Sequence, residues 1–516
     1  MRRIQFLAFS LLIATLACSR GDVPVQDAAA LVEATQDTQV DPARTLEPLS
    51  NPVAIVTTSP TITPAKPEPL ITPTYPPTPT IQVTDEVEQV LYTAQPGDTL
   101  HTVAIHFAVL PEDISSPDPL PESRALIDPG QLLVIPSRLK GTGSSTWLIP
   151  DSELVFSPHV TDFDVTAFAA QYGGYLTRYR EYVGTEWRYG PEIVALSARD
   201  HSVNPRLLLA LLELESGWVT NPTAPTGDAF HYPLGHLEQQ SPGLFRQLAW
   251  LCNELGNGYY GWRSGMLTDL RLKDGSTMRL APKLNAGTAA LQYYFAVNHD
   301  ADAWEGDLGL QGFMALYSDF FGDPWVYQYP LYEPELEQPE MILPFLRGQV
   351  WAFTGGPHGA WERDSAWAAL DFAPASTESG CVISDTWSVA AAPGVVVRSG
   401  DGVVVLDLDG DGREQSGWAL LYLHIAERGR VEEGALLEAG DIIGHPSCEG
   451  GIATGTHIHI ARKYNGEWIL ADGPLPFTLS GWVAHAGAKP YLGALVKGDE
   501  VVLACSCATR ETLISR

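Results

Sequence analysis

From about Pro344 to Gly498 the sequence is a series of short apolar runs cut by Gly and Pro: SVAAAPGVVVRSG, GVVVLDLDG, WALLYLHIA, GALLEAGDIIG and THIHIARKY. Runs so short, rich in β-branched residues and bounded by turn formers, predict strands of an antiparallel sheet rather than helices. The last run carries two histidines, His457 and His459, either side of Ile458. Alternate residues of a strand point to one face, so both imidazoles are expected to project the same way. With further histidines and carboxylates at the ends of neighbouring runs, that pair suits a divalent metal. Zinc chemistry requires three N or O donors, one open position and a group that handles protons. The plain alternative is a pair of surface histidines that hold nothing.

The chain has 516 residues, too many for one ordinary domain. Its 62 acidic residues stand against 31 basic ones, a formal net charge of -31. Such a balance repels nucleic acid and anionic lipid, and excludes both as expected partners. The first 18 residues, MRRIQFLAFSLLIATLAC, place Arg2 and Arg3 before an apolar run too short to span a bilayer, as in a secretory signal. TLAC resembles the acylation motif of bacterial lipoproteins, which implies a lipid on Cys18 and an extracytoplasmic, membrane-anchored protein. From 19 to 90 the chain is rich in Thr and Pro, a composition that stays extended and solvated. This stretch is expected to be a disordered linker.

Residues 91–139 read as strand, Pro-Gly-Asp turn, helix, a second helix starting at Pro111, and a closing strand QLLVIP. Thr99 is placed to cap the first helix, whose Leu100, Val103, Ala104 and Phe107 fall at helical spacing. YTAQPGDTL, AIHF and LIDPGQLLVIP resemble the LysM module. That resemblance implies a βααβ fold that binds N-acetylglucosamine glycans such as peptidoglycan, in a groove between Gly97, Asp98 and Thr99 and the loop near Ile127.

Residues 160–343 are expected to form a mainly α domain. In NPRLLLALLELESGW, Asn204 caps a helix, Pro205 takes its first position, and Glu215 lies near its end. RDHSVNPRLLLALLELESGW and LNAGTAALQYYFA resemble the lysozyme-like lytic transglycosylases. The resemblance implies that Glu215 is a catalytic acid for glycan cleavage, which requires a carboxyl near a glycosidic oxygen. The downstream Gly-Leu-Met-Gln stretch of that family is missing, and YPLGHLE stands in its place. A solvated helix residue, or a domain that binds glycan without cutting it, remains open.

In the C-terminal part, PHGAW, SAWAALDFAP, LLYLHIA and GHPSCEGGIATGTHIHI follow one another in an order that resembles the lysostaphin-type (LytM-like) zinc endopeptidases. The resemblance implies an antiparallel sheet of the duplicated hybrid motif type over 344–498, with a tail at 499–516. It implies one Zn2+ held by His358, Asp371 and His459, with His424 and His457 as proton-handling residues. The implied substrate is the peptide part of bacterial peptidoglycan. In this family the first His and the Asp stand only a few residues apart, whereas here twelve residues separate His358 from Asp371. Glu362 and Asp364 are therefore rival ligands, while His445 and His485 read as structural or exposed.

A second metal is suggested by DLDGDGRE. Asp407, Asp409 and Asp411 precede Gly412 as at the start of a Ca2+ loop, although Trp418 occupies the closing position where such loops have Glu. The alternative is a solvated hairpin turn. Among the six cysteines, Cys381 and Cys448 are a possible disulfide, and Cys505 and Cys507 form a C-x-C pair with little to recommend it as a metal site. Three functions follow for the whole chain: a cell-wall zinc endopeptidase, a glycan-binding scaffold or hydrolase activator with a degenerate metal site, and a glycan-cleaving enzyme acting through Glu215.

Overall fold

The computed structural model describes residues 88–516 apart from 363, 364, 377, 379 and 508. The signal segment with Cys18, nearly all of the Thr/Pro-rich linker, and the rival ligand Asp364 lie outside the described residues.

The first module pairs strands Gln89–Thr93 and Leu132–Pro136 antiparallel, with helix Leu100–Phe107 packed on them. Thr99 caps that helix by accepting a hydrogen bond from the Thr102 amide at 3.1 Å. All four periodic apolar residues, Leu100, Val103, Ala104 and Phe107, are buried with Tyr92, Leu133 and Ile135 in a small core. The expected second helix is only a single 3-10 turn, Pro111–Asp113. Its continuation, Ser115-Ser-Pro-Asp-Pro-Leu-Pro, contains three prolines. Each removes an amide donor and forces the residue before it out of the helical region. The module is therefore β-α-3-10-β and not the βααβ arrangement expected from the sequence.

The middle of the chain is mainly helical. Its longest helices are Gly190–His201, Pro205–Ser216, Leu244–Arg263 and Ala286–Asn298, with one small hairpin before the first and another between the last two. As read from the sequence, Asn204 caps the second of these, its Oδ1 accepting from the Arg206 amide at 2.9 Å. The leucines from Leu207 to Leu212 then pass through the core.

The C-terminal part is an antiparallel sheet of nine strands. Its centre runs Gly394–Gly400, Val403–Asp407, Trp418–Leu423, Ile458–Tyr464, Trp367–Pro374 and Val350–Gly359 in spatial order. The last strand, Leu513–Ser515, closes the edge beside Val350–Gly359. A separate four-stranded sheet is built from residues 478–503. The run GALLEAGDIIG splits, Leu436–Leu437 joining the large sheet and Ile442–Gly444 pairing with Ser388–Val389. Disulfides join Cys381 to Cys448 and Cys505 to Cys507, while Cys252 is free and buried. No helix among the described residues is long and apolar enough to cross a membrane.

Buried charges join the helical part to the sheet. Glu414 accepts from Lys463 Nζ at 2.7 Å and Arg398 Nη2 at 3.1 Å, and Arg398 Nη1 reaches Asp200 of the helical part at 2.6 Å. Burial alone would raise the Glu414 pKa, but Lys463 and then Arg398 outweigh it and bring the group from 4.5 down to about 2. A depressed carboxyl contributes stability that is present above its unfolded value and disappears as pH falls through the folded value. The window is thus roughly pH 4.5 to 2, and the stabilisation lost across it is about 3 kcal/mol before the cost of burying Lys463. Acid unfolding followed by circular dichroism is expected to show a steeper loss of stability in this window for the native chain than for Glu414→Gln. Parallel curves for the two proteins would refute the assignment.

Candidate metal centre

Three adjacent strands bring the predicted ligands together. Asp371 lies directly opposite Gly355 on one side and His459 on the other, and His358 is three positions further along the Gly355 strand. Of the twelve residues between His358 and Asp371, Gly359 and Trp367–Leu370 belong to the two paired strands, so the spacing in sequence does not displace the carboxylate. His358 Nε2 and His459 Nδ1 are 3.0 Å apart, and Asp371 Oδ1 lies 3.2 Å and 3.3 Å from them. All three residues are buried.

The backbone decides which ring nitrogen is free at each imidazole. His358 Nδ1 lies 2.8 Å from the Gly356 carbonyl and His459 Nε2 lies 2.9 Å from that of Ala360. A carbonyl accepts, so each of those nitrogens must carry the proton, and the lone pairs are left on His358 Nε2 and His459 Nδ1. Two lone pairs and a carboxylate oxygen at these separations repel one another unless a positive charge lies among them. Asp371 Oδ1 is moreover buried without a hydrogen bond. Tetrahedral donors at about 2.0–2.1 Å from one ion stand roughly 3.3 Å from each other. The donor set therefore fits Zn2+ in residue type, spacing and protonation.

Burial would raise Asp371, but His358 and then His459 hold it well below the usual carboxylate range. Burial would lower His358, but the Asp371 carboxylate raises it, whereas burial keeps His459 down. Gly355 is required by the same geometry: a Cβ there would meet Asp371 Oδ2 at 2.5 Å.

His457 and His424 form the outer side of the site. Their rings are 4.4 Å apart, and His457 Nε2 is 3.8 Å from Asp371 Oδ1. His457 Nδ1 donates to the Gly455 carbonyl at 2.7 Å and His424 Nδ1 to that of Glu449 at 2.8 Å. Both Nε2 atoms are thereby left free to exchange protons. Burial, then His457 and His459, push His424 down to about 3, so it is neutral at ordinary pH. The Cys381–Cys448 disulfide and the hydrogen bonds between Thr456 and Val382 tie down both loops that carry these carbonyls.

The remaining sequence candidates fall elsewhere. Glu362 faces the helical part, 3.6 Å from His201 and 3.1 Å from Asn253, away from the three donors. His445 stacks on Trp387 and bonds to the Thr386 carbonyl, and His485 is exposed on the four-stranded sheet. Asp407, Asp409 and Asp411 do gather oxygens within 4.8 Å of one another. Asp407, however, already accepts from the amides of Asp409, Gly410 and Gly412, as the turn alternative requires. Burial and then Asp407 raise Asp409 to about 6. Glu215 accepts from Tyr294 at 2.9 Å and lies 3.5 Å from His299, whose other nitrogen is 2.5 Å from Asp307. Asp307 and then Glu215 raise His299 to about 10. In the first module, Asp98 accepts from Tyr92 and the Gln95 amide, Thr99 is engaged as the helix cap, and Ile127 is in the core. A side chain at Gly97 would strike Arg263 of the helical part.

Sequence reasoning missed the four carbonyls that fix the tautomers, because backbone acceptors have no residue signature. It also missed Gly355, and Tyr491, whose ring stacks on His358 at 4.1 Å.

Residues 147–334 match the model of the LasA N-terminal domain. The chain is 27% identical over 301 residues to Protease LasA of Pseudomonas aeruginosa strain UCBPP-PA14, a match spanning 53% of this chain and 66% of that protein. The chain is similar to the LasA proteases. The LasA of strain PAO1 matches to the same extent. Among solved structures, the M23 metalloprotease pseudoalterin matches at 22% identity and a TM-score of 0.27, over 32% of this chain and 96% of its own. The catalytic domain of lysostaphin from Staphylococcus simulans matches at 23% and 0.17, over 23% and 81%. The chain thus spans just under two thirds of its LasA relative.

Proposed function

We propose that the chain is a zinc metalloendopeptidase that hydrolyses peptide bonds of bacterial peptidoglycan. The single observation behind this reading is the convergence of His358 Nε2, His459 Nδ1 and Asp371 Oδ1 to within 3.3 Å of one another. Similarity to the LasA proteases supports peptidase chemistry. Zn2+ held by these three residues supplies Lewis acidity toward a carbonyl oxygen.

The chain's own part is proton transfer and orientation. His457 Nε2 accepts a proton from the attacking water, and the unprotonated His424 Nε2 accepts a hydrogen bond from the same water and orients it; once protonated, His457 Nε2 donates to the oxygen as charge develops on it. The proton then passes to the leaving amide nitrogen, so that the amine departs neutral and the acyl carbon becomes a carboxylic acid. Carbonyls of Gly455 and Glu449 keep both rings in the tautomer this requires.

The test is mass spectrometry of purified peptidoglycan after digestion, with and without chelator. Cut peptides that vanish on chelation and return with Zn2+ are the expected products. Cut sugars, or no products at all, would overturn the reading. Glu215→Gln is expected to leave the peptide products unchanged, because its carboxylate serves the Tyr294–His299–Asp307 cluster. Peptide products that disappear with this change would move the chemistry into the helical part.

A further inference from the structure

The helical part carries a surface that the metal centre does not use. Strands Arg180–Val183 and Glu186–Tyr189 form a hairpin in which Arg180 pairs with Tyr189 and Tyr182 with Trp187. Alternation therefore places Arg180, Tyr182, Trp187 and Tyr189 on one face. That face is turned to solvent: Tyr182 is 58% exposed, Trp187 61% and Tyr189 47%. The opposite face is anchored. Val183 is buried, and Glu181 accepts from the Tyr179 hydroxyl at 2.9 Å and the Phe245 amide at 3.1 Å. The Tyr189 amide donates to Glu192 at 2.7 Å, which fixes the end of the hairpin to the next helix.

Three aromatic side chains held outward on an anchored hairpin differ from the single exposed apolar residues found elsewhere, such as Leu310 and Met266. The charge on this face is also distinctive. The Arg180 guanidinium lies 5.5 Å from the Trp187 ring and 5.4 Å from that of Tyr189, and it enters no ion pair among the described residues. An unpaired cation among aromatic rings stands out in a chain of net charge -31. The overall charge repels anionic lipid, which disfavours a membrane as the occupant.

A pyranose ring presents a face of C–H bonds that packs on the electron-rich face of an aromatic ring, while its hydroxyl and acetamido oxygens accept hydrogen bonds at the rim. Trp187, Tyr182 and Tyr189 supply the stacking surface and Arg180 the donor. Arg180 is also complementary to the carboxylates of the peptides borne by a cell-wall glycan. We propose that this hairpin face is a second substrate-binding site, a stacking platform for the N-acetylhexosamine strand of peptidoglycan. The proposal rests on the peptidoglycan reading above, and adds a site that holds the polymer while its peptides reach the metal centre.

The test is calorimetric titration of the full chain with soluble N-acetylglucosamine oligosaccharides, which carry no peptide. Trp187→Ser and the Tyr182→Ser/Trp187→Ser pair are expected to weaken binding about tenfold or more, as for other aromatic anchors. Trp187→Phe should keep most of it, and Leu310→Ser should bind as the native chain does. Saturation-transfer NMR on the unaltered protein should show sugar C–H protons against aromatic rings, a readout that does not depend on any variant folding. Hairpin variants that bind like the native chain overturn the platform, as does an equal loss in Leu310→Ser. Reversible self-association or binding to anionic vesicles that is lost in Trp187→Ser, with no response to sugar, overturns it as well. Peptidoglycan peptides cut by a chain that binds no sugar would reject the platform alone. Sugar binding without any peptide cleavage would reject the peptidase reading alone.

Discussion

His459→Ala is expected to abolish peptide cleavage and to lower bound zinc in the same preparation. The substitution removes one of three lone pairs that meet within 3.3 Å, and leaves Asp371 Oδ1 and His358 Nε2 facing an open volume. Lewis-acid stabilisation by a catalytic metal is worth several kcal/mol, which corresponds to a loss of roughly 10³-fold or more in turnover. His457→Ala is the informative companion. Its ring lies 3.8 Å from Asp371 Oδ1 and is not among the three converging donors, so zinc content should remain near one per chain while turnover falls about 10²–10⁴-fold. Metal content read by elemental analysis therefore separates a ligand from a proton carrier when activity alone would not. Zinc retained by His459→Ala, or cleavage that persists in it, would remove the physical basis of the proposed site.

Much of this site was legible in the sequence because sheets have a short period. His-x-His in a strand places two rings on one face, and Ile458 between them is buried on the other. What misled the spacing argument was the insertion between His358 and Asp371. Two strands of a hairpin stay in register whatever the length of the loop that joins them, so distance along the chain does not measure distance across the sheet. Asp371 opposite His459 follows from strand register, and sequence motifs alone suggested it without fixing it. The carbonyls of Gly356, Ala360, Gly455 and Glu449 were not legible, since any residue offers the same acceptor. The second helix of the first module failed for a local reason that the sequence did contain: three prolines follow its first turn. The helix of Asn204 and Pro205 was legible because cap, first-turn proline and leucine run agree with one another. Contacts between distant segments left no trace at all in any local pattern. Gly97 reads as a turn residue in its module, yet it is also the point at which Arg263 arrives from a helix far along the chain.

Arg263→Met is expected to be the most damaging single change to stability. Arg263 Nη2 lies 3.0 Å from Asp151 and 3.2 Å from Glu467, and Nη1 donates to the Pro96 carbonyl. One guanidinium thus ties the first module and the helical part to the sheet. Its ring contacts, Tyr259 at 5.2 Å and Tyr332 at 5.3 Å, close the site from the sides. Glu467 is buried, and burial raises its pKa despite Arg263 and the hydroxyls of Tyr259 and Tyr332. Methionine fills the volume of the arginine stem but leaves both carboxylates without a cation. Removing one partner from a buried ion pair costs about 3–5 kcal/mol, a large part of the stability of an ordinary domain. Urea unfolding should show a fall of that size, and proteolysis should open the junction near Pro96 at concentrations that spare the native chain. If the loss comes from the stranded charge, Arg263→Met combined with Glu467→Gln should be more stable than the sum of the two single changes, since the amide accepts from one tyrosine, donates to the oxygen of the other and carries no charge. Strict additivity, or a cost below about 1 kcal/mol for Arg263→Met, would mean that packing rather than this cation holds the three parts together.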